Sequence, residues 1–490
     1  MTNLARIIGG AALLATASAA NAVSLSPNGL GQVLIYPYYT VNKNQDTLVS
    51  IVNASDIGKV VTIFVMEGYN GRTVQSFDLM LSPHDVWTAA ITATADDRGG
   101  VLQTRDTSCI NPPIPAEGIA LSASGYDGSS VWPADAGPQD ITRTREGYVA
   151  VFARADIDPA SDLAQATTHV QNGTPGTGVP PGCADIDDAM IALAALPPTN
   201  GLYGSGTIVD VGLGTFFAYN ADALANYTDV SLYTPVASLF TPFVDANSEE
   251  ATHGIARSYS WHADGKPLVA DWAFGVDAVS AVLMADSIQN EYLVASTVGA
   301  NTDWVVTFPT KQMYVDDLYG AVPFAPFAEA FHAPGVSLVV TPVDHYDREE
   351  GAATQPPACE TLCPAPGTFA LAYEVNVLSY VPGSSTVFTS GTPSRVLGST
   401  LTYSAFDPLG SSGFTRLDLF SGDGQHVLPG GIAPDGNPLT IFGLPSVGFM
   451  VYNVINTNAQ PGLLANYGGA FAHRTTTACV GAAPCVTNSQ

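Results

Sequence analysis

Asp156, Asp158 and Asp162 occupy the first, third and seventh positions of DIDPASD. Carboxylates at that spacing are the ligand pattern of calcium, a hard cation that gathers roughly six to eight oxygens. The stretch departs from a helix–loop–helix calcium loop. It has no glycine at its sixth position and no glutamate at its twelfth, and Pro159 interrupts it. Two readings follow: a structural calcium on these three residues, or no cofactor and a solvated acidic face.

Trp132, Trp261 and Trp272 lie in polar, turn-rich stretches. Their ring faces suit the C–H faces of a sugar, with nearby Asp and Asn to take its hydroxyls. The commoner use of such rings is to fill a β-sandwich core, and that is the competing expectation. The eight histidines, at 84, 169, 253, 262, 332, 345, 426 and 473, are scattered and form no HExxH pair. No G-x-S-x-G elbow is present, and GLYGSGT at 201–207 lacks the lysine of a phosphate loop. A glycosidase pair is not selectable by spacing from 44 acidic residues. No catalytic residue is assigned.

Cys109, Cys183, Cys359, Cys363, Cys479 and Cys485 make an even set. Chain order favours the pairs 109–183, 359–363 and 479–485, and an oxidising compartment favours disulfides over metal thiolates. Lys311 stands in NTDWVVTFPTKQMYVDD, residues 301–317, one of few lysines in the chain. Period-two alternation puts Trp304, Val306 and Phe308 on one face of a strand that Pro309 ends. Lys311 is expected in the following turn, lying over Trp304 or Tyr314 or paired with Asp303 or Asp316.

The elements that must position these groups are short strands. The chain opens MTNLARIIGGAALLATASAANA, with one arginine, an apolar run and small residues at Ala20 and Ala22. This reads as an export leader cut after Ala22, so 1–22 is set apart from the fold. No later apolar run is long enough to span a bilayer as a helix. With 44 acidic against 16 basic residues the net charge is −28, which repels nucleic acid and anionic membranes. Cell-surface proteins, copies of the chain itself and neutral glycans stay open as partners.

Runs such as GQVLIYPYYTV (31–41), DTLVSIVNAS (46–55) and KVVTIFVMEG (59–68) last five to eight apolar residues and end in Asn, Gly, Asp or Pro. Val, Ile and aromatic residues in such runs mark antiparallel strands. Asn70-Gly71 suits a hairpin turn, and Gly212 and Gly214 suit another. The one strong helix signal is ADIDDAMIALAAL, 184–196, ended by two prolines, and a short helix is expected near Asp222. The expected fold is mainly β: immunoglobulin-like antiparallel β-sandwiches with long loops and one or two short helices. The divisions are 23–160, an N-terminal sandwich; 161–203, a disulfide-tied linker with a helix; 204–475, a larger β-rich body; and 476–490, a disulfide loop and tail. Trp87, Trp304 and Phe449 are the expected core anchors.

Three segments, GKVVTIFVMEGYNGRTVQSFDLMLSPHDVWTA, NTDWVVTFPTKQMYVD and GLPSVGFMVYNVINTNAQPGLLANYGG, resemble parts of large secreted or surface-associated β-rich proteins of proteobacteria. The resemblance implies one shared β-scaffold and carries over no functional residue. The functional expectation is a non-enzymatic structural or interaction protein outside the cytoplasm, whether periplasmic, on the outer surface or extracellular. The alternatives are a secreted hydrolase of glycans or another extracellular polymer, and a calcium-dependent glycan-binding or adhesion module.

Overall fold

The structure is a computed structural model. It describes residues 22–485, apart from 172–173, 176–177, 234–240, 245, 247–255, 354–367, 383–392, 404 and 423. Strands dominate, and nearly all pair antiparallel. No helix among the described residues is long and apolar enough to cross a membrane.

The largest sheet has thirteen strands. Its spine is Glu146–Ile157, flanked by Val33–Thr40 on one side and Gly58–Glu67 on the other. All three are buried along their whole length, which is why KVVTIFVMEG alternates so poorly. A strand covered on both faces has no solvent side to mark with polar residues. By contrast, Asp46–Asn53 and Leu202–Asp210 alternate between buried and accessible positions. They belong to a six-stranded sheet with one face against the core and the other toward water.

A five-stranded sheet links the two halves of the fold. Ala300–Thr307 lies at its centre, paired with Val375–Tyr380 and with Val447–Gln460. Its residues divide between two cores. Val305, Val377, Phe449 and Val451 point into the first, shared with the long sheet and the six-stranded sheet. Trp304, Val306, Phe308, Leu378 and Met450 point into the second, with Ile288, Val343 and Leu417 of another six-stranded sheet. The period-two reading of 303–309 is therefore met, and Trp87, Trp304 and Phe449 are buried anchors.

Two covers complete the body. Helix Gly275–Leu283 packs with Ala270, Trp272, Leu428 and Ile441 in a third core beside the Cys479–Cys485 disulfide. Helices Asp162–Thr167 and Asp188–Ala194 close over Val60, Met80 and Ile157 in a fourth, tied by Cys109–Cys183. Cys359 and Cys363 lie outside the described residues.

Several expectations need correction. The 184–196 helix is shorter, because Asp187 caps it by accepting a hydrogen bond from Met190 N at 2.8 Å, and Ala195–Leu196 leaves it to pair with Asp156 and Ile157. Four short α-helices are described, where one or two were expected. Asp222 begins a strand, not a helix. Strands from 23–160, 204–475 and 476–490 share the long sheet through ladder hydrogen bonds, a sharing that the sequence, with no isolating linker, leaves open. Among the described residues the three-residue strand Val23–Leu25 joins that sheet's two halves, antiparallel to Asp222–Ala225 and parallel to Ala256–Trp261.

Candidate functional site

The three calcium candidates are not brought together. Asp156 faces Lys59 directly across the ladder, and its Oδ1 accepts from Lys59 Nζ at 2.6 Å. Its Oδ2 accepts from Thr199 Oγ1 at 2.6 Å and Thr199 N at 3.1 Å. Burial pulls the Lys59 ammonium below its ordinary value, and Asp156 opposes that pull. Asp158 turns the chain by accepting from Ala160 N, and Asp162 sits exposed in the first helical turn. The strand end sends Asp156 inward, away from the other two. Among the described residues no three His, Cys, Asp or Glu side chains gather as a metal site.

The tryptophans also separate. Trp272 is 1% exposed, donates from Nε1 to Ser258 Oγ at 2.8 Å and belongs to the third core. It is removed from the ligand platform. Trp132 is 44% exposed, on the loop after Ser130. Trp261 is 58% exposed and stands edge-on to Tyr259, ring centroids 5.5 Å apart.

Trp261 and Tyr259 line a cavity of about 800 Å³. That is within the roughly 300–1,000 Å³ of small-molecule sites. One wall is the end of the long sheet, with Leu25, Pro27, Asp222, Ser260 and His262. The apolar wall comes from the last turn of helix Gly275–Leu283 and from Met284, Ile288 and Val447. Ser446, His473 and Thr475–Thr477 close the far side.

The polar groups of this cavity fall into two kinds. His473 is committed to the scaffold: its Nε2–H donates to Val305 O at 2.9 Å and its Nδ1 accepts from Asn290 Nδ2 at 3.2 Å. Burial pulls it down to about 4, so it stays neutral. His262 is held by Asp264, Nδ1 to Oδ1 at 2.8 Å. The other kind has no protein partner. Ser260 Oγ and Ser446 Oγ are buried without a hydrogen bond, and Ser446 is 7% exposed. The half-buried Asp222 has no ion-pair partner among the described residues, and burial pushes it up to about 7. The sequence flagged Trp261; Asp222 and Ser446 carried no motif.

A second group of charges is wholly internal. Arg72 grips Asp316, and Arg143 bridges Glu67 at 2.8 Å and Asp135 at 2.8 Å. The Arg143 guanidinium lies 4.0 Å from the Tyr126 ring centroid. Lys311 is drawn into the packing, where a seat over Trp304 or Tyr314 or a pair with Asp303 or Asp316 is expected from sequence. It is buried, donating to Ser337 O at 2.7 Å and Tyr373 O at 3.1 Å, between the Phe308 and Phe327 rings. Asp303 is taken instead by Val396 N, Leu397 N and Ser379 Oγ, and Asp316 by Arg72. These charges are closed in by the packing and offer no ligand a way in.

No family model matches the chain, and neither a curated protein nor a solved structure matches it.

Proposed function

We propose that the chain is an exported, non-catalytic interaction protein whose ligand site is the cavity at the end of the long sheet. One observation carries the reading: a volume of about 800 Å³ with an apolar wall and, among its lining residues, Asp222, which has no ion-pair partner among the described residues. Around it the scaffold is tied by two disulfides and by charges locked inside, the build of a protein that holds a site in place. Disulfides, with the leader-like first 22 residues, support a place outside the cytoplasm. The immunoglobulin-like sandwich stays a proposal, supported by the long sheet and the six-stranded sheet of residues 46–220 sharing the first core.

A thermal-shift screen of neutral sugars, amines and carboxylates against the purified protein and Ala263→Trp tests it. Ala263 is exposed at the cavity rim, so the new ring blocks entry without disturbing a core. A saturable shift that the variant loses supports the reading; the same shift in both proteins overturns it. The secreted-hydrolase alternative is favoured by Asp222, since a carboxyl titrating near neutrality suits a general acid. Polymer turnover abolished by Asp222→Asn would establish that alternative.

A further inference from the structure

Away from the cavity, Lys59 and Asp156 face each other across the ladder between Gly58–Glu67 and Glu146–Ile157. Neither is more than 1% exposed. Lys59 Nζ stands 2.6 Å from Asp156 Oδ1, one bond away from the carboxyl carbon Cγ. Thr199 touches both partners. Its carbonyl oxygen accepts from Nζ at 2.8 Å, its hydroxyl Oγ1 accepts from Nζ at 3.1 Å, and the same Oγ1 donates to Oδ2 at 2.6 Å. Thr199 N also donates to Oδ2, at 3.1 Å. The chain neighbours Val60, Ala155 and Ile157 are buried in the fourth core.

A buried ion pair is costly, because two charges leave water for one contact. Burial also pulls the Lys59 ammonium below its ordinary value, toward the neutral amine that has a lone pair to give. Paired strands hold the amine and the carboxyl together. Groups fixed in this way react as though present at concentrations on the order of 10⁵–10⁸ M. Bulk water, which would reverse a condensation by hydrolysis, is kept from both side chains.

We propose that Lys59 and Asp156 become covalently joined in the folded chain, by an amide between Nζ and Cγ that bolts the two strands across a sequence separation of 97. The first proton passes from Nζ to Oδ1 along their contact, leaving a neutral amine and a carboxylic acid. The amine attacks Cγ and the C–N bond forms. The second proton leaves Nζ for the Thr199 hydroxyl, which hands its own to Oδ2. The Cγ–Oδ2 bond then breaks. Oδ2 departs as water with the Oδ1 proton, and the Cγ–Oδ1 double bond reforms. Ammonium and carboxylate thus give one amide and one water, with no oxidant or reductant. Unlike the Cys109–Cys183 bond that ties the same core, this link survives reduction.

Intact-mass spectrometry of the purified protein, disulfides reduced and chain unfolded, tests the bond. The wild type should be lighter by one water than the sequence from its measured amino terminus. Trypsin should release a branched peptide, uncut at Lys59, that joins this residue to Asp156. Lys59→Met with Asp156→Leu, an apolar pair for the same space, should have its full mass. Thr199→Val, at an exposed position, keeps the pair and removes the hydroxyl; it should form the link about tenfold more slowly or worse. Full sequence mass in wild type after long incubation at neutral pH overturns the proposal. So does a water loss that persists in the double variant or maps to a succinimide at one of the chain's Asp–Gly pairs. Linking by Thr199→Val as fast as by wild type overturns the relay. The wild-type mass and peptide decide the bond by themselves, should a variant fail to fold.

Discussion

Arg72 holds Asp316 through two parallel hydrogen bonds, Nε to Oδ2 at 2.6 Å and Nη2 to Oδ1 at 2.9 Å, across a sequence separation of 244. Asn70 Nδ2 adds a third bond to the same carboxylate at 2.7 Å. The hairpin MEGYNGR and the segment after the central strand Ala300–Thr307 are thereby fixed to each other. Removing one partner of such a buried pair strands the other charge without water. Asp316→Asn should lower stability by about 3–5 kcal/mol, and the apolar pair Arg72→Met with Asp316→Leu by distinctly less. Urea unfolding of the three proteins measures the difference; equal loss in both variants would contradict the buried-charge argument.

The cavity pair gives opposite pH signatures. Asp222 titrates near 7 in the fold, above its unfolded value of about 4. Its protonated form therefore stabilises the fold fully below about pH 4, and that contribution is lost as pH rises through about 7. His473 titrates near 4 in the fold, below its unfolded value of about 6.5. Its contribution is present above about pH 6.5 and is lost as pH falls toward 4. The two oppose each other in that window. The melting temperature of Asp222→Asn relative to wild type should therefore rise as pH goes from 4 to 7, read by calorimetry at fixed salt. A flat difference would show that Asp222 is not desolvated.

The Cys109–Cys183 bond closes a loop with a sequence separation of 74. In the chain-entropy account such a loop contributes about 4 kcal/mol. Replacing both residues by serine should lower stability by up to that amount. Because helices Asp162–Thr167 and Asp188–Ala194 cover Val60 and Met80, amides of the fourth core should lose protection first. Hydrogen exchange followed by mass spectrometry localises the effect; a loss spread evenly over the chain would assign the bond a different role.

Trp261 and Trp272 should diverge sharply under substitution. Trp272→Ala empties a packed site and leaves Ser258 Oγ without its donor, costing about 3–5 kcal/mol. Trp261→Ala should change stability by less than about 1 kcal/mol, since the ring is mostly exposed. Denaturant midpoints of the two variants give the comparison.

Local pattern was enough to read most of the strands. DWVVTFP shows its two faces directly, and Gly214, at φ +66°, sits at the turn where its residue type placed it. The failures share a cause. Sequence neighbours do not decide these side chains: Asp156 is set by Lys59, Lys311 by Ser337 and Tyr373, and Trp272 by the third core it shares with Leu428 and Ile441. The cavity is of the same kind. Asp222, Ser446 and His473 meet only after three sheets have packed, and no spacing rule connects them. The three quoted segments do meet: the first joins the second through Arg72 and Asp316, and the second pairs with the third along seven registered residues.

The strand Val23–Leu25 is made first and seated late. Its two ladder neighbours, Asp222–Ala225 and Ala256–Trp261, emerge only after some two hundred further residues. Until they do, this strand has neither seat, and the panel of the long sheet that begins with Ala256–Trp261 does not yet exist. A chain cut short anywhere before residue 256 therefore lacks one of the two seats for that strand, however well its earlier strands have paired.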